Sequence, residues 1–325
     1  MTHRAALPQL EGGFFLTDGG LETTLIFLRG RELPAFAAFD LLKNDEGTEE
    51  LRRYFDPYLE VAAQRGAGFI LESPTWRASP HWAQEIGYTQ EQLDQMNRKA
   101  IELMEEIREA HASDAGPIVI SGCVGPQGDG YDPDVLLSAD AAQEYHSTQI
   151  GTFAETAADM VTAITMTYAE EAIGIVRAAE AVGLPAVISF TVETDGRLPS
   201  GQSLGEAIEQ TDAETGGRAA YFMINCAHPT HFEQVVADVA RGGTGSAASA
   251  PTHPPRATPS STNPRSWTTA TRPIWAGATA SCETGCRTST CWGAAAAPIT
   301  ATWPRSASPG ARRRAPDVRW GDLPP

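Results

Sequence analysis

Tyr221-Phe222-Met223-Ile224-Asn225-Cys226-Ala227-His228-Pro229 has the form of a buried strand that ends in a thiol. An unbroken apolar and aromatic run suits a strand covered on both faces, and the Asn-Cys pair ahead of a proline-containing turn puts Cys226 at its C-terminal end. In a barrel of parallel strands, that end carries the chemistry. A free cysteine is equally at home as a small buried hydrophobe, so Cys226 becomes a candidate only through the segments that precede it.

Those segments repeat one pattern. Phe14-Phe15-Leu16-Thr17 reads as a short strand ending in Asp18-Gly19-Gly20, where paired glycines let a ligand approach the backbone and Asp18 either holds a cationic amine or is a solvated turn residue. Leu51, Tyr54, Phe55, Tyr58, Leu59 and Ala62 recur at helical spacing from Glu49 to Arg65, and the strand Gly66–Leu71 follows, ending in Glu72-Ser73-Pro74-Thr75-Trp76. Thr89 with Gln92 three residues on predicts a capped helix to Ala110. The strand Pro117–Ser121 runs into the glycine-rich stretch Gly122–Gly130, which lacks dinucleotide spacing and reads as a substrate-facing loop, with Cys123 as packing. A helix over 140–158, a strand over 160–167, a helix over 168–182 stopped by Gly183, a strand over 186–191 and a helix over 204–210 lead to the Asn-Cys strand.

Strand and helix alternate, each strand is followed by a polar or glycine-rich segment, and up to seven strands are expected. Such alternation means a parallel α/β sheet, and the absence of a dinucleotide fingerprint favours closure into a (β/α)8, TIM-type barrel. The chain has 325 residues, 42% of them hydrophobic, enough for one large domain. Its formal charge of -17 is unevenly spread: 14 Lys+Arg against 38 Asp+Glu up to Ala240, then 10 against 3. An acidic body argues against nucleic acid as a partner, and no stretch reaches the ~20 apolar residues of a membrane span, so a cytoplasmic protein acting on small molecules is expected. Five scattered cysteines do not form a disulfide framework.

The series FFLTDGGLETT, FILESPTWRAS, IVISGCVGPQGDGY, the strand from Ala163 to Thr167, VISFTVETDG and YFMINCAHPTHF, in that order, resembles the homocysteine S-methyltransferase family over roughly residues 10 to 240. The resemblance implies a (β/α)8 barrel carrying zinc on three cysteines, one from the Asn-Cys strand, matched here by Cys226, and two from a Gly-Gly-Cys-Cys-Gly segment on the last strand. It implies methyl transfer from a sulfonium or betaine-type donor to the thiol of homocysteine, giving methionine. Zinc would deprotonate that thiol, and three thiolates leave its fourth position open. Asp18 and Gly19 would hold the amino-acid end of the substrate, with Thr75, Ser121 and Asn225 lining the pocket. Many members carry a Glu on the fifth strand where this chain is expected to place Thr165. Two other readings stand beside this one: a metal-free barrel serving as a binding or scaffold protein, and an aldolase- or dehydratase-like barrel using Asp18 or Glu72 as general acid or base.

After Ala240 the composition changes. Residues 241–325 contain no Phe, Tyr or Met, yet hold five of the seven tryptophans. Such a segment is expected to be a low-complexity, disordered tail that buries no core, leaving the barrel without its last strand and helix and with one inherited zinc ligand. A lost reading frame accounts for it. Trp has the single codon TGG, and a frame one base earlier turns each tail tryptophan into Leu, Met or Val. In that frame the stretch from Trp292 to Ala297 permits Gly-Gly-Cys-Cys-Gly, whereas Cys282, Cys286 and Cys291 have no strand to place them.

Overall fold

Side chains alternate between the two faces of a strand, and here the alternation sorts an apolar sheet into a lumen and an outer shell. The computed structural model describes residues 2–113, 116–131, 133, 136–228 and 231–232, together with the backbone of 267–276 and 295–306. Six strands, β1 (Phe15–Thr17), β2 (Gly68–Glu72), β3 (Ile118–Val124), β4 (Met160–Met166), β5 (Ala186–Phe190) and β6 (Ala219–Ile224), pair in sequence order and in parallel. Helices Asp45–Arg65, Gln90–Ala110, Ala139–Ala154, Ala169–Ala181 and Leu204–Thr215 cover the outside. Phe69, Leu71, Ile120, Val161, Ile188, Phe222 and Ile224 face them and form the large core. Phe15, Ile70, Val119, Met160, Val187, Tyr221 and Met223 face inward and fill the lumen with a second cluster. Burial on both faces explains why the strands read as continuous apolar runs.

The alternation of strands and helices follows the expectation, and the Thr89–Gln92 capping box forms with both of its bonds. Among the described residues six strands precede residue 240, within the expected limit of seven. Thr165 lies near the end of β4, not on the fifth strand.

The sheet closes differently from the expectation. Trp267–Ala276 forms β7, parallel to β6 at Phe222↔Ile274 through Ile224↔Ala276. Ala295–Ser306 forms β8, antiparallel to β7 over ten residue pairs and antiparallel to β1 at Phe15↔Ala296 and Leu16↔Ala295. The barrel is closed, but its last strand runs against both neighbours, so no eighth parallel strand occurs among the described residues. Counting aliphatic residues missed these strands because Thr and Trp, which dominate Trp267–Trp275, are themselves strand formers. Pro273, Pro298 and Pro304 fall outside the short overlaps with β6 and β1 but inside the β7–β8 ladder, where each lacks the N–H that a ladder bond uses. Most of 241–325, including Cys282, Cys286 and Cys291, lies outside the described residues.

Residues 3–10 seal the N-terminal end of the lumen. The Arg4 guanidinium donates to the carbonyls of Ala154 at 3.1 Å, Thr156 at 3.0 Å and Ala158 at 2.9 Å, and Leu7 is buried in the lumen cluster. Asp159, fully buried, accepts from Ile120 N at 2.9 Å and from the His3 N–H, and pairs with Arg108 at 3.1 Å. Removing a buried carboxylate that serves three donors strands all of them. Asp159→Ala is expected to lower unfolding free energy by about 3 kcal/mol in urea titration. Asp140→Ala, which deletes a surface ion pair, should cost under about 0.5 kcal/mol, and equal costs would contradict this account.

Candidate active site

The pleat that packs the lumen also builds the site. On the inward face of each strand, one step above the apolar cluster, the residues turn polar: Thr17 on β1, Glu72 on β2, Ser121 on β3, Thr162 on β4 and Ser189 on β5. Above this layer, at the C-terminal ends of the strands, a cavity of about 350 Å³ opens, with Asp18, Glu22, Glu72, Trp76, Thr165 and Cys226 among its walls. That is the end of the barrel where parallel-barrel sites form.

Asn225 organises one side. Its Oδ1 accepts from Thr165 N at 3.0 Å and from Ser189 Oγ at 2.7 Å, and its Nδ2 donates to Thr165 Oγ1 at 2.9 Å and to Cys226 Sγ at 3.1 Å. One amide thereby ties together the ends of β4, β5 and β6. Thr165 and Cys226 both adopt left-handed backbone, with φ of 66° and 53°, which non-glycine residues take only where surrounding bonds hold them. The turn at Cys226 brings its thiol to the cavity rim, where it is exposed and hydrogen-bonded with the Tyr131 hydroxyl.

The opposite side is acidic. Tyr54 donates to Asp18 Oδ2 at 2.9 Å, yet burial and the nearby Glu72 push the Asp18 carboxyl well above the usual range. A Cβ at Gly19 would stand 2.9 Å from the Tyr58 hydroxyl, so a larger residue there would have to displace that side-chain tip. Glu72 is 9% exposed, and its two carboxylate oxygens make no well-formed hydrogen bond, with only the Ser121 and Thr162 hydroxyls close enough to act on them. Burial pushes its pKa up to about 7, against a weaker pull from the hydroxyls of Ser121 and Thr162, which bond to each other at 2.7 Å. Half-buried Glu22 is also raised to about 7 by burial. Arg77 stays out of the cavity, its guanidinium 4.2 Å from the Trp76 ring and 3.5 Å from that of Trp82, donating to Gly128 O at 3.1 Å.

Of the residues expected in the site, Asp18, Gly19, Asn225 and Cys226 meet at this cavity. Thr75 and Ser121 do not line it: both are fully buried, Thr75 donating to Cys123 O at 2.7 Å and Ser121 bonded to Thr162. Cys123, expected as packing, is buried against the cavity wall, and burial raises its thiol pKa well above normal. Sequence reasoning missed Tyr131 and Trp76. Their only signal was an aromatic placed after a strand end. Among the described residues, no three His, Cys, Asp or Glu side chains converge as a metal site.

Fold and cavity together define a barrel enzyme with an acid-walled small-molecule site at its strand C-termini. The sequence profile described as "Homocysteine S-methyltransferase" matches residues 15–291, and the chain belongs to that family. Homocysteine S-methyltransferase 1 of Arabidopsis thaliana is 26% identical over 252 residues, 71% of this chain and 73% of that protein. Selenocysteine Se-methyltransferase of Brassica oleracea var. italica is 25% identical over 253 residues, 71% of this chain and 70% of that protein. The metallated crystal structure of the Escherichia coli homocysteine methyltransferase MmuM superposes with a TM-score of 0.58 at 21% identity, covering 71% of this chain and 82% of that one, a likeness of fold.

The raised carboxylate has a consequence for stability. Between pH 4.5 and about 7 the folded protein keeps a proton on Glu72 that the unfolded chain has lost, so this group's stabilising contribution vanishes as pH rises through 7. Glu72→Gln should therefore stabilise the ligand-free protein more at about pH 8 than at about pH 5, by up to roughly 3 kcal/mol in denaturant midpoints. Equal effects at both pH values would contradict the burial.

Proposed function

We propose that this chain descends from, and acts as, a methyltransferase that moves a methyl group from a sulfonium or betaine-type donor to the thiol of homocysteine, giving methionine. What carries the reading is the convergence of Asp18, Gly19, Asn225 and Cys226 on one cavity at the strand ends. Family membership supports it, as do relatives named for methyl transfer to homocysteine and selenocysteine.

In such a reaction a bond forms between the acceptor sulfur and the methyl carbon while the bond from that carbon to the cationic donor atom breaks. The thiol proton leaves, and the donor departs neutral. Asp18 would hold the acceptor's ammonium group, with Gly19 allowing its close approach. The acidic walls favour a donor that arrives with a positive charge. Withdrawal from water behind Trp76 and Met223 strengthens that attraction.

A zinc ion bound by three thiolates would supply thiol deprotonation, but the described residues do not fit it. Cys226 is one thiolate at the rim, and no second and third ligand converge on it among those residues. The zinc reading needs ligands from the region after Ala240, where the chain as written lacks the Gly-Gly-Cys-Cys-Gly segment. We attribute that lack to a reading frame lost near Ala240, which leaves the family's barrel over 1–240 with six parallel strands, a frame-derived tail over 241–325 that supplies the closing β7 and β8, and impaired activity.

The test pairs the chain as written with a frame-restored version, each given homocysteine and either S-methylmethionine or trimethylglycine, with methionine and bound zinc as readouts. The restored version should bind about one zinc per chain and form methionine. The chain as written should fall on the order of a hundredfold below it, and Cys226→Ala should remove zinc from the restored version. One zinc per chain in the unrestored protein would overturn the frame-loss account, and absence of methionine from both versions would overturn the methyltransferase reading.

A further inference from the structure

One carboxylate in the cavity has no role in the reading above. Glu72 leaves the last residue of β2 on the lumen side, and the pleat that points Ile70 into the apolar cluster points Glu72 up at the cavity. The partners that strand register offers fall short of its needs, since the Ser121–Thr162 pair has one hydroxyl proton to spare for two carboxylate oxygens. Ser121, opposite Glu72 in the sheet, bonds to Thr162, and Ser73 bonds to Thr75 at 2.7 Å. Among the described residues lining the cavity, three are carboxylates and none is Lys or Arg. A buried acid served by no more than a spare hydroxyl proton is costly unless a ligand brings the missing donors.

We propose that Glu72 is the second carboxylate of an ammonium clamp, closing with Asp18 on the primary amine of the substrate, and that it restricts the cavity to ligands carrying such a cation. The proposal rests on the reading of this cavity as an amino-acid thiol site. A primary ammonium has three N–H donors, enough to fill both open oxygens of Glu72 and reach Asp18. Charge-assisted bonds of this kind are strongest where water is excluded. Asp18 alone, already bonded to Tyr54, leaves Glu72 uncompensated.

Binding to the clamp is linked to a proton. Facing Glu72 are Asp18 from the β1 end, Cys123 from β3 and Tyr221 from β6, each raised in pKa, with Glu72 contributing after burial, and the hydroxyls of Ser121 and Thr162. No cation stands among these groups, so the empty site holds a proton near neutrality, and an arriving ammonium expels it. Affinity should fall about tenfold per pH unit below 7 and level off above it.

Titration calorimetry on the full chain tests this with three probes: homocysteine, the same thiol acid without its amino group, and norleucine, which keeps the amine but has no sulfur. Buffers of different ionisation enthalpy report the protons released. Homocysteine and norleucine should bind with release of nearly one proton at about pH 6 and little at about pH 8.5, and the amine-free thiol acid should bind at least about tenfold more weakly. Glu72→Gln should weaken norleucine roughly 10- to 100-fold at about pH 8.5 and abolish the proton release, whereas Glu72→Asp should keep the release. Unchanged binding and proton release in Glu72→Gln, amine-free thiol acid binding as tightly as homocysteine, or no binding of norleucine at any pH would overturn the clamp. Norleucine binding with Glu72-dependent proton release while homocysteine fails to bind would uphold the clamp and overturn the acceptor assignment.

Discussion

A buried carboxylate short of donors is the constraint that gives this barrel its meaning. Glu72 sits one pleat step above a lumen packed with Ile70, Val119, Met160, Val187 and Tyr221, so it can neither reach water freely nor turn away without breaking β2. The neighbouring hydroxyls bond to one another and pull only weakly on it, and Asp18 adds repulsion. An arrangement that costs stability when empty is retained where a ligand relieves it. The scaffold below supports that cost: an apolar plug, a sealing N-terminal segment tied by Arg4, and Asp159 joining β3, the helix Gln90–Ala110 and the chain start.

The thiol side obeys a different rule. Cys226 reaches the rim because its backbone turns left-handed, and Asn225 holds that turn through bonds to β4 and β5. Acid wall and thiol rim are thus fixed by separate networks facing one cavity. A substrate with an ammonium at one end and a sulfur at the other matches both. That match, with family membership, supports an amino-acid thiol as the proposed acceptor.

Much of this was legible in the sequence. Each of the six strands announced itself by an apolar run with a polar or glycine-rich end, and Asp18-Gly19 and Asn225-Cys226 fell at strand ends as read. What the sequence hid were properties of pairs across strands. That Ser121 bonds to Thr162, and so has little left for Glu72, depends on β3–β4 register. Ser121 and Thr75 looked like pocket residues because they are polar and near strand ends, but their inward or buried positions direct them into the sheet's own bonding. The closing strands were missed for a compositional reason. Thr and Trp carry β7, and a rule that weighs aliphatic residues does not count them.

The most direct measurement is the titration of the Glu72 carboxylate itself, followed by carbon-detected NMR of glutamate-labelled, ligand-free protein with the signal assigned through Glu72→Gln. The account predicts a midpoint near 7 that moves several units lower once norleucine saturates the site. A midpoint near the ordinary 4.5, unmoved by the amine, would contradict it.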